Sequence, residues 1–273
     1  MTISDFQRHI LSWYKKHKRD LPWRKTRDPY KILVSEIMLQ QTQVSRVIPK
    51  YHEFLEAFPT LEKLATSREA KLLHVWSGLG YWRRARFLKD AAKAIVTNHG
   101  GKFPRTPEAL QTLPGVGSYT AGAVACFAFN NTEPFIDTNI RRVFLYFFFP
   151  RRRSVSDQEI LSFARSAVWK QDPRTWHYAL FDYGAIELTK GAINKRSKHY
   201  TKQSKFEGSF RSFRTRTVKY LLSAPRHKTS RNSLLDFLEE ELRKEERDYN
   251  PEDVIRALVQ DKLVKEKGEF ISL

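Results

Sequence analysis

Apolar residues recur at helical spacing along most of the chain, and the strict alternation that a half-buried strand needs is scarce. From Asp28 to Gln41 the run DPYKILVSEIMLQQ carries an acidic cap, Pro29 in the first turn and Leu33, Ile37 and Met38 at helical spacing, which predicts a largely buried helix. Thr106, Pro107 and Glu108 open a short helix through Leu113 that then meets Pro-Gly-Val-Gly. Ser118 is placed to cap a second helix, YTAGAVACFAFN, whose Ala121, Gly122, Ala123 and Ala125 would let another backbone approach closely. The pattern is helix, glycine hairpin, helix.

The last 65 or so residues change character. A basic helix candidate runs through Leu222, a second covers Ser233 to Arg243, and Asn250-Pro251 opens a third to about Gln260. The final KLVKEKGEFISL alternates around Gly268 as a small hairpin would. Three helices and a hairpin predict a winged-helix-like domain over 207–273, behind a larger helical domain over 1–206. The equal alternative is a packing module that touches no nucleic acid. There is no fixed-period repeat and no Walker or dinucleotide fingerprint, so nucleotide-driven chemistry is not indicated.

Composition adds a partner class. The 273 residues are 41% hydrophobic and 13% aromatic, enough for a real core, and carry a net charge of +19, which points towards a polyanion. The charge is concentrated: Lys190 to Arg231 holds thirteen Lys or Arg against a single acid, Glu207. Such a run is either a solvated loop or a stripe that neutralises phosphates, and the motifs favour the stripe. The longest apolar stretch, Val143 to Phe149, is far short of a membrane span, and the MTISDFQRHI start has no apolar core or cleavage site. Neither membrane insertion nor secretion is expected. One cysteine, Cys126, can form no internal disulfide and cannot by itself hold a zinc or iron–sulfur centre. A reduced, intracellular setting follows.

Three features carry chemistry. Gly115 and Gly117 permit a tight turn whose bare amides, with those of Val116 and the helix starting at Ser118, could hold a phosphate; alone, the hairpin could equally be only a turn. Asp137, in FIDTNIRRV, is either a carboxylate facing a substrate or the cap of the helix that follows. Glu36 sets a carboxyl into a largely apolar helix, where burial would raise its proton affinity, unless it lies on a polar face with Gln40 and Gln43. One carboxyl kept protonated and a second kept ionised is the division of labour that glycoside cleavage requires.

The strings RDLPWRKTRDPYKILVSEIMLQQTQV, GLGYWRRAR, GGKFP, LPGVGSYTAGA and FIDTNIRRV, in that order and spacing over about residues 5 to 190, resemble the helix-hairpin-helix DNA glycosylases. They most closely resemble the MutY-type adenine glycosylases. The resemblance implies an all-α, two-lobed catalytic domain, with one lobe at about 25–133 and the other from 1–24 plus 134–206. It implies that Glu36 protonates adenine as the N-glycosidic bond breaks and later helps activate water. Asp137 would stabilise the sugar cation, supported by Asn139. Tyr119 stands where lyase members carry a nucleophilic Lys, so Schiff-base strand cleavage is not expected. Arg19, Trp23, Arg24 and Asp182 match positions around the extruded adenine, and Gln41, Thr42 and Tyr81 match the group that wedges into the duplex and reads the opposite purine. The hairpin from Gly115 to Ser118 would grip DNA phosphate.

Two departures qualify this picture. The four cysteines that usually hold a [4Fe–4S] cluster fall on Leu188, Lys195, Lys198 and Ser204, so no cluster is expected; Lys195, Arg196 and Lys198 would contact phosphates instead, with packing around Trp176, Tyr178 and Tyr183. The 65-residue tail is also too short and too helical for the Nudix-like domain that helps recognise 8-oxoguanine. The expectation is a monofunctional adenine glycosylase of base excision repair, hydrolysing adenine from opposite 8-oxoguanine or guanine in double-stranded DNA. It would be a monomer in the cytoplasm with the nucleoid, with no catalytic metal; the sequence allows, without establishing, a monovalent cation at hairpin carbonyls near Val116. The alternatives are a thymine or uracil mismatch glycosylase of the same fold, against which QQTQ and GLGY argue, and a non-catalytic DNA-binding scaffold. The presence of both Glu36 and Asp137 argues against the scaffold.

Overall fold

The computed structural model describes residues 1–189, 192–198, 200–202 and 204–273; Lys190, the first residue of the basic run, lies outside them. In chain order the helices are α1 (Ile3–His17), α2 (Pro29–Leu39), α3 (Val44–Ala57), α4 (Leu61–Ala65) and α5 (Glu69–Trp76). There follow α6 (Arg83–His99), α7 (Pro107–Gln111), α8 (Ser118–Phe129), α9 (Thr138–Phe147), α10 (Asp157–Ala167) and α11 (Pro173–Ile186). The tail adds α12 (Phe210–Ser223), β1 (Lys228–Ser230), α13 (Arg231–Lys244), α14 (Pro251–Gln260), β2 (Lys265–Lys267) and β3 (Phe270–Ser272).

These elements form two compact units, 1–36 with 103–202 and 37–102 with 203–273. In the first, α11 is buried along nearly its whole length and packs against α1, α8 and α9. Its core is aromatic: Phe6 meets the rings of Phe144, Phe148 and Trp176 with centroids 5.0–5.7 Å apart, the edge and tilted geometry that aromatic quadrupoles favour. In the second unit α4 packs on α6, α3 on α5, and α12, α13 and α14 pack on one another beneath the sheet. The units cut the chain at other places than the lobes and tail expected from the sequence. The tail falls with 37–102 because α12 packs on α5 and its Thr215 hydroxyl accepts the Trp82 indole N–H at 3.3 Å.

Helix starts follow the sequence signals closely. Asp28 accepts from the Tyr30 amide at 2.9 Å, Thr106 from Ala109, and Asn250 from Glu252, each satisfying an orphan amide of the first turn. Other boundaries differ: α7 stops at Gln111 rather than Leu113, and α13 starts at Arg231 rather than Ser233. α2 stops at Leu39 rather than Gln41, and Gln41 has φ +54. Ser118 does not cap α8: Gly117 occupies the cap position in extended conformation, and no side chain caps the helix start.

In the tail, the hairpin of β2 and β3 turns at Gly268, whose φ of +58 is the left-handed conformation such a tight turn requires. A third strand, β1, pairs antiparallel with β3 and gives the order β1-β3-β2. Three residues between two helices are too few for an alternating pattern to mark, so the sequence showed the hairpin and not this strand.

Candidate active site

Glu36 lies in the last turn of α2 and is only 3% exposed, among Ile32, Leu33, Val34 and Ile37, all buried. The alternative of a polar helix face is therefore overturned: the whole turn faces the interior. Tyr119, in the first turn of α8, donates its hydroxyl to Glu36 Oε2 at 2.7 Å. Burial pushes the Glu36 carboxyl up to about 7, against the Tyr119 hydrogen bond and the attraction of Arg24 and with the help of the Asp137 charge. Burial likewise raises the Tyr119 phenol well above its ordinary value, reinforced by the same two carboxylates.

Asp137 caps α9, and its charge acts on this acid. Its Oδ1 accepts from the Ile140 amide at 2.7 Å and its Oδ2 from the Asn139 side chain at 2.9 Å. The two readings left open by the sequence, cap and reactive carboxylate, are thus compatible, because the cap holds the carboxylate in place. Burial raises its proton affinity, while the Ile140 and Asn139 donors and Arg141 oppose that. Two glycines bring the segment in. A Cβ on Gly122 would meet the Phe135 side chain at 2.6 Å, and one on Gly184 would meet the Asn139 carbonyl oxygen at 2.4 Å. Neither backbone approach survives a larger residue.

Asp182, fully buried on α11, accepts four hydrogen bonds. Arg19 donates its amide to Oδ2 at 3.0 Å and Nε to Oδ1 at 2.6 Å; Arg24 donates Nη1 to Oδ2 at 2.7 Å and Nη2 to Oδ1 at 2.8 Å. Burial alone would raise the Asp182 carboxyl, but the two guanidinium groups hold it below its ordinary value. The structure thus brings Arg19, Arg24 and Asp182 together as an ion cluster whose carboxylate is fully occupied. Trp23 is buried between the two arginines in sequence. Arg24 also sits over the Tyr178 ring, 4.5 Å from its centroid, which links the cluster to the aromatic core.

Gln41, Thr42 and Tyr81 belong to the second unit, and the residue that organises them, Arg84, is one the sequence did not single out. Its Nη1 donates to the carbonyls of Ile37, Met38 and Gln40 at 2.5–2.9 Å. Its Nη2 donates to Thr42 Oγ1 and the carbonyls of Leu79 and Gly80 at 2.9–3.1 Å. The guanidinium satisfies the orphan carbonyls at the end of α2, which is why the helix stops at Leu39. Burial with no carboxylate partner lowers Arg84 to about 10, helped back up by Tyr81. Tyr81 has φ +47, an unusual conformation for an aromatic residue, kept by its surroundings. Arg211 of α12 donates Nη1 to the Tyr81 hydroxyl at 2.5 Å. The signal for Arg84 was present in GLGYWRRAR, but its neighbours Trp82, Arg83 and Arg86 gave no reason to choose it.

At the hairpin, Gly115 has φ +72, and Gly115, Gly117 and Ser118 are exposed while Val116 is buried, 5% exposed. In the basic loop, Lys195 and Lys198 are exposed, but Arg196 is half-buried and donates Nη1 to the carbonyls of Phe149 and Pro150 at 2.9 and 2.6 Å. The Lys198 amide bonds to the Val155 carbonyl and the Val155 amide to the Arg196 carbonyl, so the loop is laced to the segment before α10. These residues do not fit an iron–sulfur cluster. Leu188, Lys195, Lys198 and Ser204 stand where thiolates would be needed, and Cys126 is buried in α8 with its thiol pushed up by burial. Among the described residues no group of three or more His, Cys, Asp or Glu could hold a metal ion. None of the helices among them is long and apolar enough to cross a membrane.

Residues 34–170 match the family model described as HhH-GPD superfamily base excision DNA repair protein. An adenine DNA glycosylase of Rattus norvegicus is 43% identical over 61% of this chain and 33% of its own length. One of Mycolicibacterium smegmatis is 47% identical over 52% of this chain and 48% of its own length. The chain thus spans a third to a half of these curated relatives. A solved structure of a thermostable thymine-DNA glycosylase is 30% identical, with a TM-score of 0.62, over 67% of this chain and 86% of that one. With its glycine hairpin, the acid on α2 and the capping carboxylate of α9 all inside or beside the matched span, the chain belongs to the HhH-GPD superfamily of base excision DNA repair proteins.

Proposed function

We infer that this protein is a monofunctional DNA glycosylase that hydrolyses the N-glycosidic bond of adenine opposite 8-oxoguanine or guanine and leaves an abasic site. The carrying observation is the arrangement of Glu36, Tyr119 and Asp137: an acid near 7, hydrogen-bonded to a phenol, beside a carboxylate held by a helix start. Once adenine is extruded, the protonated Glu36 delivers its proton to the leaving base. Asp137, oriented by Asn139 and Ile140, stabilises the positive charge that develops on the sugar, and water completes the hydrolysis. Position 119 holds a tyrosine and not a lysine, so the protein forms no Schiff base there.

The start of α8, which no side chain caps, supports phosphate binding around Gly117 and Ser118, while the Val116 amide is taken by the Leu113 carbonyl at 3.1 Å. Lys195 and Lys198 extend towards solvent and support a second backbone contact. Arg196 serves the loop itself, donating to the carbonyls of Phe149 and Pro150. The reaction needs no iron–sulfur cluster. The curated relatives named as adenine glycosylases favour adenine. The likeness to the thymine-DNA glycosylase structure keeps thymine opposite guanine as the second reading.

Single-turnover cleavage of duplexes carrying adenine opposite 8-oxoguanine, adenine opposite guanine, and thymine opposite guanine, with and without alkali, decides between them. Alkali-dependent cleavage at adenine supports the proposal. Cleavage only at thymine moves the protein to the second reading, and cleavage of none makes it a binding scaffold.

A further inference from the structure

The tail contains a surface that the catalytic chemistry does not use. In the sheet β1-β3-β2, Lys228 pairs with Ser272 and Ser272 with Lys265, while Ser230 pairs with Phe270 and Phe270 with Lys267. Strand alternation places these two rows on one face. The row between them, Thr229, Ile271 and Glu266, lies on the other face, and Ile271 is fully buried. The outer face therefore carries Lys228, Lys265 and Lys267 around Phe270, which is 44% exposed. The Lys228 ammonium lies 3.7 Å from the Phe270 ring centroid, which confirms that the two share a face.

No strand residue on this face is acidic, and none of the three lysines makes a salt bridge among the described residues. Three arginines of the same module are paired with acids. Arg214 is paired with Asp261, Arg216 with Glu241 and Glu245, and Arg231 with Glu252 and Glu266. In helix-turn-helix proteins the second helix of the pair enters the major groove. Here that helix, α14, offers Glu252, Asp253, Arg256 and Gln260, and Arg256 is paired with Asp253 at 2.9 Å. It brings no net positive charge to a phosphate-lined groove.

We propose that the outer face of this sheet, Lys228, Lys265 and Lys267 around Phe270, binds the sugar–phosphate backbone of duplex DNA flanking the target base, while α14 stays out of the groove. The three ammonium groups meet phosphates as point charges, and the Phe270 ring packs on the sugar edge between them. Such contact is independent of sequence and gives the enzyme a second hold on undamaged duplex. The inference rests on the reading of the chain as a DNA glycosylase only for its choice of duplex DNA as occupant.

The test compares the full chain with K228Q/K265Q/K267Q, and separately with Phe270→Ser, by fluorescence anisotropy on an undamaged duplex of about 30 base pairs across a salt series. Each lost phosphate contact lowers the slope of log affinity against log salt by about 0.9. The triple variant should lose about 2–3 in slope and about 10-fold or more in affinity near 100 mM salt, with an unchanged thermal melt. Its single-turnover rate at saturating enzyme should equal that of the parent. An unchanged slope on the duplex overturns the proposal, as does a loss confined to vesicles containing anionic lipid. A parent protein that cuts none of the test duplexes but shows this lysine-dependent slope would sink the glycosylase reading and leave the sheet face standing.

Discussion

Arg211 of α12 donates a 2.5 Å hydrogen bond to the hydroxyl of Tyr81, so a residue of the tail holds the one aromatic side chain of the GLGY loop. Arg211 is itself fixed by Ser204, whose carbonyl and hydroxyl accept from Nη2 at 3.1 and 3.2 Å. If Tyr81 reads the base opposite the target, Arg211→Met should change the ratio of single-turnover rates on adenine opposite 8-oxoguanine and adenine opposite guanine by about 5-fold or more, with the melt little affected. Equal loss on both duplexes would mean that the contact only stabilises the loop.

Tyr119 lowers the proton affinity of Glu36 by donating to its ionised form. Because the acid must be protonated to act, the single-turnover rate should fall as pH rises through about 7. Tyr119→Phe removes the donor, so the Glu36 carboxyl rises further and the falling limb should move to higher pH. A limb that stays in place would show that another group controls it.

The same burial makes Glu36 a cost to stability at high pH. Its folded value of about 7 is raised from 4.5, so its stabilising contribution is complete below the lower value and is lost as pH rises through the higher one. The full span corresponds to roughly 3 kcal/mol at about 1.4 kcal/mol per pH unit. Glu36→Gln has no such titration, and its stability relative to the parent should improve by about 2–3 kcal/mol between pH 4 and pH 8.5. Urea denaturation at the two pH values measures this, and a constant difference would count against a buried, protonated acid. The variant should also be inactive.

Asp137→Asn separates the two duties of Asp137. Asparagine caps a helix about as well as aspartate, so α9 should keep its start and the unfolding free energy should change by less than about 1 kcal/mol. The negative charge opposite the sugar is lost, and the single-turnover rate should fall by about 100-fold or more. A large loss of stability in place of the rate would assign Asp137 to the cap alone.

Arg84→Met should destabilise the protein by about 2–4 kcal/mol in urea unfolding, because six acceptors gathered by one guanidinium lose their donors. Arg84→Lys should recover little, since an ammonium has three donors and no fork. Full recovery by lysine would mean that the charge matters and the geometry does not.

The sequence by itself determined several helix starts, since a Thr106 or Asn250 cap is a local bond between a side chain and an amide two or three residues on. It also determined the shape of the tail, apart from β1, and it marked Glu36 as a candidate, because a carboxyl among apolar neighbours is anomalous wherever it falls, while leaving Asp137 open between cap and reactive carboxylate. Tertiary structure decided the rest. Whether Glu36 faced solvent depended on what packs around α2, and its partner Tyr119 lies 83 positions away. The charge of the run from Lys190 to Arg231 read as one stripe, yet Arg196, Arg214, Arg216 and Arg231 are bound to carbonyls or carboxylates within their own units. Arg84 shows the limit most plainly. Five of its six acceptors are main-chain carbonyls, which every residue carries, so no side chain along the sequence marks the partners of that guanidinium.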